Sequence, residues 1–433
     1  MKGDKTQQRR LSAGTVVMLA LLVIVVGGSA LVLSRLSSGA SINLDKLNMN
    51  TLNLQNDPSL IQTKEEAQPR EVQAAKSQQP ENPEQAKQES TAGKVSEKSF
   101  TLTIGGSISL SGEVRKNSWN TDTKVADYAD VMMLLKNEIR SDVNAVYFEN
   151  TLSDRYKASD YVAPESAAAL LTEAGFSMAA CGFGQAYANG KDGIESTISA
   201  LSRRGISTLG IRSEEDPGKP VIISVKGIRT AFLQFTATIP SKTRKSMEKD
   251  GTSGMVPEAE TELITEEIDA ARAQGAEAVI VLVNWGKTGK EPDKTQRQLA
   301  EDIAMAGADL IVGNGSHVPQ NAEYLPGSDG GSVLCIWSLG TLLSGDRSNT
   351  SRISGYLLHV TVRSNGQGGI DILNPEYTPV YTWKYKQDGR YYYRCIPSAG
   401  DAPDGMDNDQ KKAMAKSAEA VEKVIKDSPL SLR

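Results

Sequence analysis

The sequence predicts an α/β body with strands inside and helices outside, preceded by one membrane-crossing helix and a disordered tether. Three observations carry this. Four predicted helices end in a glycine followed at once by an apolar strand: Gly175-Phe176, Gly205-Ile206, Gly275-Ala276 and Gly307-Ala308. Glycine takes the left-handed conformation that closes a helix and turns the chain back into a sheet. Unbroken apolar runs such as AVIVLV (278–283) read as strands covered on both faces. Finally, residues 11–34 carry no charge, and a polar stretch without aromatics follows further on.

The elements follow in chain order. Residues 11–34 as a helix would be about 36 Å long, enough for a ~30 Å hydrocarbon core. Lys2, Lys5, Arg9 and Arg10 precede the run against one acid, Asp4. That bias keeps residues 1–10 in the cytoplasm and puts the rest outside the cell. A cleaved signal peptide is the competing reading, since Gly28-Ser29-Ala30 is a small-residue site, but the run exceeds the ~7–15 residues usual there. Residues 35–98, rich in Gln, Glu, Lys and Pro, cannot bury enough surface to offset their ordering entropy and read as a linker. Within them, 44–55 repeats Leu at short spacing and reads as a local helix or adhesive stripe.

The globular part is expected over 99–396. Strands are expected at 100–104, 144–148, 177–181, 221–225, 230–235, 277–283 and 309–313. Helices are expected at 128–140, 164–175, 194–205, 257–275 and 292–307, with a hairpin turning through Lys226-Gly227-Ile228-Arg229. The strand-rich last third suggests a second sheet packed on the first. Residues 397–433 form a loop and a helix capped by Asp407 or Asn408, with a thin apolar face that packs weakly or lies free.

Composition excludes several site types. The chain has 433 residues, two histidines (His317 and His359), three cysteines and a formal net charge of -5. A mildly acidic balance argues against a nucleic-acid partner. Two histidines leave a metal centre built mainly from imidazoles short of ligands. Cys181, Cys335 and Cys395 form no CxxC pair, so a four-cysteine zinc site and a dense disulfide framework are excluded. Cys181 and Cys335 lie in apolar strands and read as buried and inert. His359, in the strand pattern LLHVTV, reads as structural or exposed. Ser338 has no GxSxG elbow around it.

Ligands in open α/β sheets sit beyond the carboxyl ends of strands. Five such ends here carry polar or small residues: Glu149-Asn150-Thr151, Gly182 to Gln185, Asn284-Trp285-Gly286, Gly313 to His317, and Trp337-Ser338 with Gly340. Each alone is ordinary loop chemistry. Their coincidence at five strand ends points to one rim.

These residues resemble a known family in their order and spacing. The stretch TQRQLAEDIAMAGADLIVGNGSHVPQNAEYL (295–325), WSLGT (337–341), Asn284-Trp285-Gly286, GIEST (193–197) and FENTLS (148–153) are similar to the CapA family of capsule or poly-γ-glutamate synthesis proteins. The resemblance spans about 100–395. It implies a metallophosphoesterase-like four-layer α-β-β-α sandwich and, in intact members, a binuclear metal site. Glu149 looks like the glutamate of the family's NLE motif. The other ligand positions are changed. The aspartate of GD falls on Gly106, and the Asn-His of ANNH on Gly184-Gln185. The histidine of HWG falls on Asn284, and the asparagine of YSLGN on Thr341. Of the GHHPH histidines, two fall on Asn314 and Gly315, and His317 remains.

The resemblance with these departures implies a catalytically degenerate domain with no metal cofactor. Such a domain would bind a surface polymer, polyglutamate or a glycan, through Gln185, Asn284, Trp285, Asn314, Ser316, Trp337 and Ser338. The tryptophans supply stacking faces in this reading and core packing in the competing one. Glu149 and His317 are the acid/base candidates if an enzyme remains, alone or with one or two divalent metals. A structural subunit of a membrane synthesis complex, recruited through 11–34, is the third reading.

Overall fold

The computed structural model describes residues 98–433, except 121–124, 129, 216, 217, 219 and 367. The expected cytoplasmic tail (1–10), membrane segment (11–34), leucine stripe (44–55) and linker (35–98, save Lys98) lie outside the described residues. Among the described residues no helix is long and apolar enough to cross a membrane.

The chain begins its described course with β1 (Ser99–Ile108), helix α1 (Gly112–Ser118), and a two-residue ladder of β2 (Trp119–Asn120) with β3 (Val125–Ala126). Then come β4 (Val143–Phe148), the ladder of β5 (Thr151–Leu152) with β6 (Val162–Ala163), α2 (Ala169–Ala174), β7 (Met178–Ala180), α3 (Gly190–Ser202) and β8 (Ser207–Leu209). The hairpin β9 (Val221–Val225) and β10 (Ile228–Thr236) is followed by α4 (Ser241–Asp250), α5 (Thr261–Ala273), β11 (Ala278–Asn284), α6 (Lys294–Met305) and β12 (Leu310–Asn314). The last elements are β13 (Ala322–Pro326), β14 (Ser332–Ile336), β15 (Thr341–Leu343), β16 (Ser354–Ser364), β17 (Ile370–Gln387), β18 (Arg390–Pro397), α7 (Asn408–Ile425) and β19 (Ser431–Leu432).

Two mixed sheets result. One runs β18-β17-β16-β1-β4-β7-β8, with β15 also paired to β1 and β19 to β17; the other runs β13-β14-β12-β11-β10-β9. Their centres are parallel: β1, β4, β7 and β8 in the first, and β10, β11, β12 and β14 in the second. One core cluster takes alternate residues from both sheets, among them Leu102, Ile104, Ala145 and Tyr147 against Ile280, Leu282, Leu310 and Val312. The opposite face of the first sheet packs on α2 and α3 through Leu170, Leu171, Ile194 and Leu201. The opposite face of the second packs on α5 and α6 through Ile264, Ile268, Ala300 and Ile303. The layering is helix, sheet, sheet, helix, because each sheet is apolar on both faces and must be covered twice.

Four sequence expectations are corrected. The stretch 128–140 is not an α-helix but a run of turns with one 3-10 segment, Lys136–Glu138. The carbonyl of Val131, which a helix would give to residue 135, accepts the amide of Cys395 on edge strand β18 at 2.7 Å. The apolar spacing Val131, Leu135, Ile139 is real but is buried without a helix. The hairpin turn is two residues rather than four. Lys226 and Gly227 both have positive φ, 46° and 83°, matching the strand twist as two-residue turns do, and Ile228 and Arg229 are already in β10. The late strands do not make a sheet of their own, since β13 and β14 close one sheet while β15 to β18 extend the other. Helix α7 does not lie free: Met414, Ser417, Val421 and Ile425 are buried, and Ser417 Oγ lies 2.7 Å from Ser354 Oγ. Its start carries a full capping box between Asp407 and Gln410. Helix α4, with Met247 buried, had no counterpart in the sequence reading.

Candidate functional site

The carboxyl ends of β1, β4, β11 and β12 and the segment after β14 meet where the two sheets face each other. A fully buried tyrosine sets the approach. The Tyr147 hydroxyl on β4 donates to the Val312 carbonyl at 2.6 Å and accepts the Val283 amide at 3.1 Å, tying the first sheet to β11 and β12. Burial drives that hydroxyl's pKa well up, which suits a donor held neutral. Two residues on, Glu149 comes to the end of the strand.

A chain of hydrogen bonds leads to the Glu149 carboxylate. Ser316 Oγ donates to Ser338 Oγ (3.0 Å), Ser338 Oγ to Asn314 Oδ1 (3.0 Å), Asn314 Nδ2 to Ser107 Oγ (2.7 Å), and Ser107 Oγ to Glu149 Oε1 (2.8 Å). A second branch runs from Thr238 Oγ1 to Asn284 Oδ1 (2.7 Å), and from Asn284 Nδ2 to Glu149 Oε1 (3.4 Å). Ser107, Glu149, Asn284, Asn314, Ser316 and Ser338 are all buried. The other carboxylate oxygen, Oε2, lies 3.5 Å from His317 Nε2; the His317 side chain is 30% exposed and Glu149's 8%. His317 is therefore the member of the group that meets solvent. Its backbone is left-handed, φ 56°, an unfavourable state for histidine, held by Thr341 Oγ1 donating to its carbonyl at 3.1 Å.

Ser107 reaches this group because β1 is bulged. The register to β4 shifts between Gly105 and Ser107, so Ser107, not Gly106, pairs with inward-facing Tyr147. A Cβ on Gly106 would sit 2.3 Å from the Gly340 carbonyl oxygen, which itself accepts the Ser107 amide at 2.9 Å. Gly315 is closed in the same way: a Cβ there would meet the Trp285 carbonyl oxygen at 2.6 Å, and its φ is +116°. Neither position admits a side chain without moving backbone.

Of the residues singled out in the sequence, the structure joins Glu149, Asn284, Asn314, Ser316, Ser338 and His317. Gln185 is half-buried on the loop after β7 and stays outside the hydrogen-bonded group. That loop is pinned to the second sheet by Gln234, whose amide pairs both ways with Gly182 at 3.0 and 2.8 Å. The stacking role of Trp285 and Trp337 is corrected. Both are 1% exposed and pack on each other with centroids 5.5 Å apart in the helix-facing core. Trp285 Nε1 donates to the Trp337 carbonyl at 2.8 Å, and Trp337 Nε1 to Glu323 at 2.7 Å. Sequence reasoning missed Ser107, Tyr147, Thr238 and Gln234. Only Ser107, next to the altered GD position, left a signal that a search could have used.

The residues do not fit a binuclear metal centre. Such a centre needs bridging carboxylates and several imidazoles, and this group holds one of each. Ser107 Oγ and Asn284 Nδ2 donate to the carboxylate, and the other amide and hydroxyls donate to one another behind them. Among the described residues no group of three or more His, Cys, Asp or Glu is placed to hold a metal ion. What the arrangement offers is one buried carboxylate, one half-exposed imidazole and a set of neutral polar groups. His359 lies elsewhere, buried between Thr103 and Thr378. The thiols of Cys181, Cys335 and Cys395 are buried, and burial drives their pKa up.

Comparison with known proteins agrees with the family resemblance. The capsule biosynthesis protein CapA of Bacillus anthracis is 27% identical over 287 residues, covering 63% of this chain and 66% of that protein. The PGA biosynthesis protein CapA of Bacillus subtilis (strain 168) is 27% identical over 241 residues, 54% of this chain and 60% of that protein. The matched span is thus just under two-thirds of these relatives' own lengths. Among solved structures, the calcineurin-like phosphoesterase YfkN of Bacillus subtilis aligns with a TM-score of 0.39 at 10% identity, over 76% of this chain and 99% of that one. The model of the bacterial capsule synthesis protein family PGA_cap matches residues 101–346. The chain belongs to that family, the one whose curated members carry the name CapA.

Proposed function

We propose that this protein works outside the cell, anchored through residues 11–34, in the synthesis or attachment of capsule, poly-γ-glutamate or another surface polymer. Its strand-tip group meets polymer at His317 and the Oε2 edge of Glu149, which the buried amides and hydroxyls hold in place, without a binuclear metal centre. Family membership supports the polymer context. The observation that carries the site reading is that Asn284 and Asn314, at positions where the family has histidines, bond their neighbours directly, while Gly106 and Gly315 have no room for a ligand side chain. Amide-rich or hydroxylated chains match an imidazole beside a carboxylate oxygen, with His317 as the group that reaches them first.

The test is elemental analysis of the purified full chain after exposure to Mn, Fe and Zn salts, with phosphodiester turnover measured alongside. Less than one ion per chain and no turnover is expected; two ions per chain with turnover would overturn the reading. Deleting residues 1–34 should release the protein from membranes, and continued sedimentation with them would refute the anchor.

A second reading is favoured by one distance. The 3.5 Å between Glu149 Oε2 and His317 Nε2 is close to that of an acid/base pair, and a hydrolase or amide-bond enzyme on the polymer would use it. Glu149→Gln and His317→Asn separate the two. Loss of polymer processing with binding retained points to the enzyme, and loss of binding alone to the binding role.

A further inference from the structure

We infer that a cleft beside edge strand β18 is a second ligand site, built for a neutral glycan strand. It shares no residue with the strand-tip group and is independent of that group's function. The hairpin of β17 and β18 carries a ladder of rings: Trp383 stacks on Tyr385 at 4.4 Å and Tyr385 on Tyr392 at 5.5 Å. The Arg394 guanidinium lies 5.1 Å over the Tyr385 ring and pairs with Asp130 at 3.3 Å. Across from the hairpin stands Trp119, held by Arg390 Nη2 donating to its carbonyl at 2.5 Å. Between them is a cavity of about 210 Å³, walled by Trp119, Asp127, Asp130, Tyr392, Arg390 and Arg394. One water needs only ~10–15 Å³ of such space. A second cavity of about 400 Å³ shares Trp119 as a wall and continues past Arg115, Lys116, Asp154 and Tyr156. The Trp119 side chain is thus a wall of two neighbouring cavities, each large enough for a sugar unit.

The chemistry of the walls selects the ligand. The protein has four tryptophans; Trp285, Trp337 and Trp383 are buried, and Trp119 is 45% exposed. An aromatic face is negative at its centre and meets the weakly positive C–H face of a sugar ring. Around it stand both donors and acceptors, the guanidiniums of Arg390 and Arg394 and the carboxylates of Asp127 and Asp130, a set that matches hydroxyls serving both ways. Tyr393 and Arg394 line the cavity, and among the described residues Arg394 Nε and the Tyr393 hydroxyl are buried with no hydrogen-bond partner. Buried polar groups in native proteins are nearly always satisfied, so these two ask for a ligand or water. Charge on the walls is close to balanced, with Arg115, Lys116, Arg390 and Arg394 against Asp127, Asp130 and Asp154, so the two cavities offer hydroxyls mixed partners rather than the one-signed surface a polyanion selects. The hairpin wall also lies beyond residues 101–346, outside the span that matches the family.

The test uses the full chain in mild detergent, titrated with cellotetraose, chitotetraose, a galactose tetrasaccharide and poly-γ-glutamate, with tryptophan fluorescence as the signal. Trp119, alone among the four in being exposed, is the built-in reporter. A saturable change is expected with at least one tetrasaccharide. Trp119→Ala, at an exposed position, should weaken it about tenfold or more, and Trp119→Phe, read by calorimetry, should restore most of it. Arg394→Gln should also weaken binding. Saturation by polyglutamate alone, no saturation by any tetrasaccharide, or a Trp119→Ala variant that binds like the parent would each overturn the proposal.

Discussion

Restoring the family's aspartate by Gly106→Asp should damage the fold rather than rebuild a metal site. The Cβ would sit 2.3 Å from the Gly340 carbonyl oxygen and 3.0 Å from its carbon. Ordinary contact begins near ~3.5 Å, so backbone must move by about 1 Å. That carbonyl accepts the Ser107 amide, and pushing it away strands a buried N–H. Overpacking costs ~1–3 kcal/mol, and an unsatisfied buried donor another ~1–3 kcal/mol. Burying an added carboxylate without a partner raises the total further. A loss of about 3–6 kcal/mol is a large part of the ~5–15 kcal/mol that holds a typical domain folded. At ~2.1 cal/mol/K of unfolding entropy per residue, it corresponds to a fall of about 4–8 °C in Tm for a body of this size. Scanning calorimetry with and without Mn salts reads both halves of the expectation. A variant as stable as the parent that takes up stoichiometric Mn would refute the steric reasoning.

Two further predictions concern other buried groups. Asn314→Ala leaves the Ser107 and Ser338 hydroxyls each short of a partner in a buried site; urea unfolding should show a loss of about 1–3 kcal/mol, and an unchanged midpoint would mean the chain of bonds carries no net stability. Burial, with the Arg433 guanidinium adding to it, pushes the His359 imidazole down to about 3 from an ordinary 6.5. The unfolded chain therefore takes up the proton first as pH falls. Stability from the neutral ring is complete above pH ~6.5 and is lost on acidification toward pH ~3, by at most about 5 kcal/mol at ~1.36 kcal/mol per unit. His359→Gln should flatten urea stability between pH 7 and 4 relative to the parent, and identical slopes would sink the assignment.

Where the sequence was legible, local and global demands agreed. Helix α6 announces itself by Asp293, whose side chain caps the Gln296 amide at 3.1 Å, and by Gly307 at φ 101°. β11 is apolar from Ala278 to Val283 because both faces are covered. Where it was not legible, a partner distant in sequence decided. The apolar spacing of 128–140 describes burial correctly, but the edge of β18 takes the carbonyl that a helix needs. The face of α7 looked too thin to dock, yet a stripe of Met414, Ser417, Val421 and Ile425 suffices because Ser417 meets Ser354. At the site, the altered ligand positions could be read along the chain. The bulge that turns Ser107 inward could not, since it exists only in the register between β1 and β4. Nor could the burial of the two tryptophans, whose place beyond strand ends suits a rim as well as a core.

The direction of the hydrogen bonds explains why the changes at these strand ends hang together. A buried carboxylate needs compensation, either from cations or from donors aimed at it. Here both branches of the network point their hydrogens toward Glu149, from Ser316 through Ser338, Asn314 and Ser107, and from Thr238 through Asn284. Each donor in such a chain polarises the next. A cation on the Oε1 side of Glu149 would face the hydrogens of Ser107 Oγ and Asn284 Nδ2 rather than lone pairs, so both would have to turn away and break those bonds. Putting back a single ligand would therefore leave the rest of the network opposed to an ion. In the function proposed above, the dipoles supply the compensation that metals would give, and Oε2 and His317 are the part of the group left to meet a partner from outside.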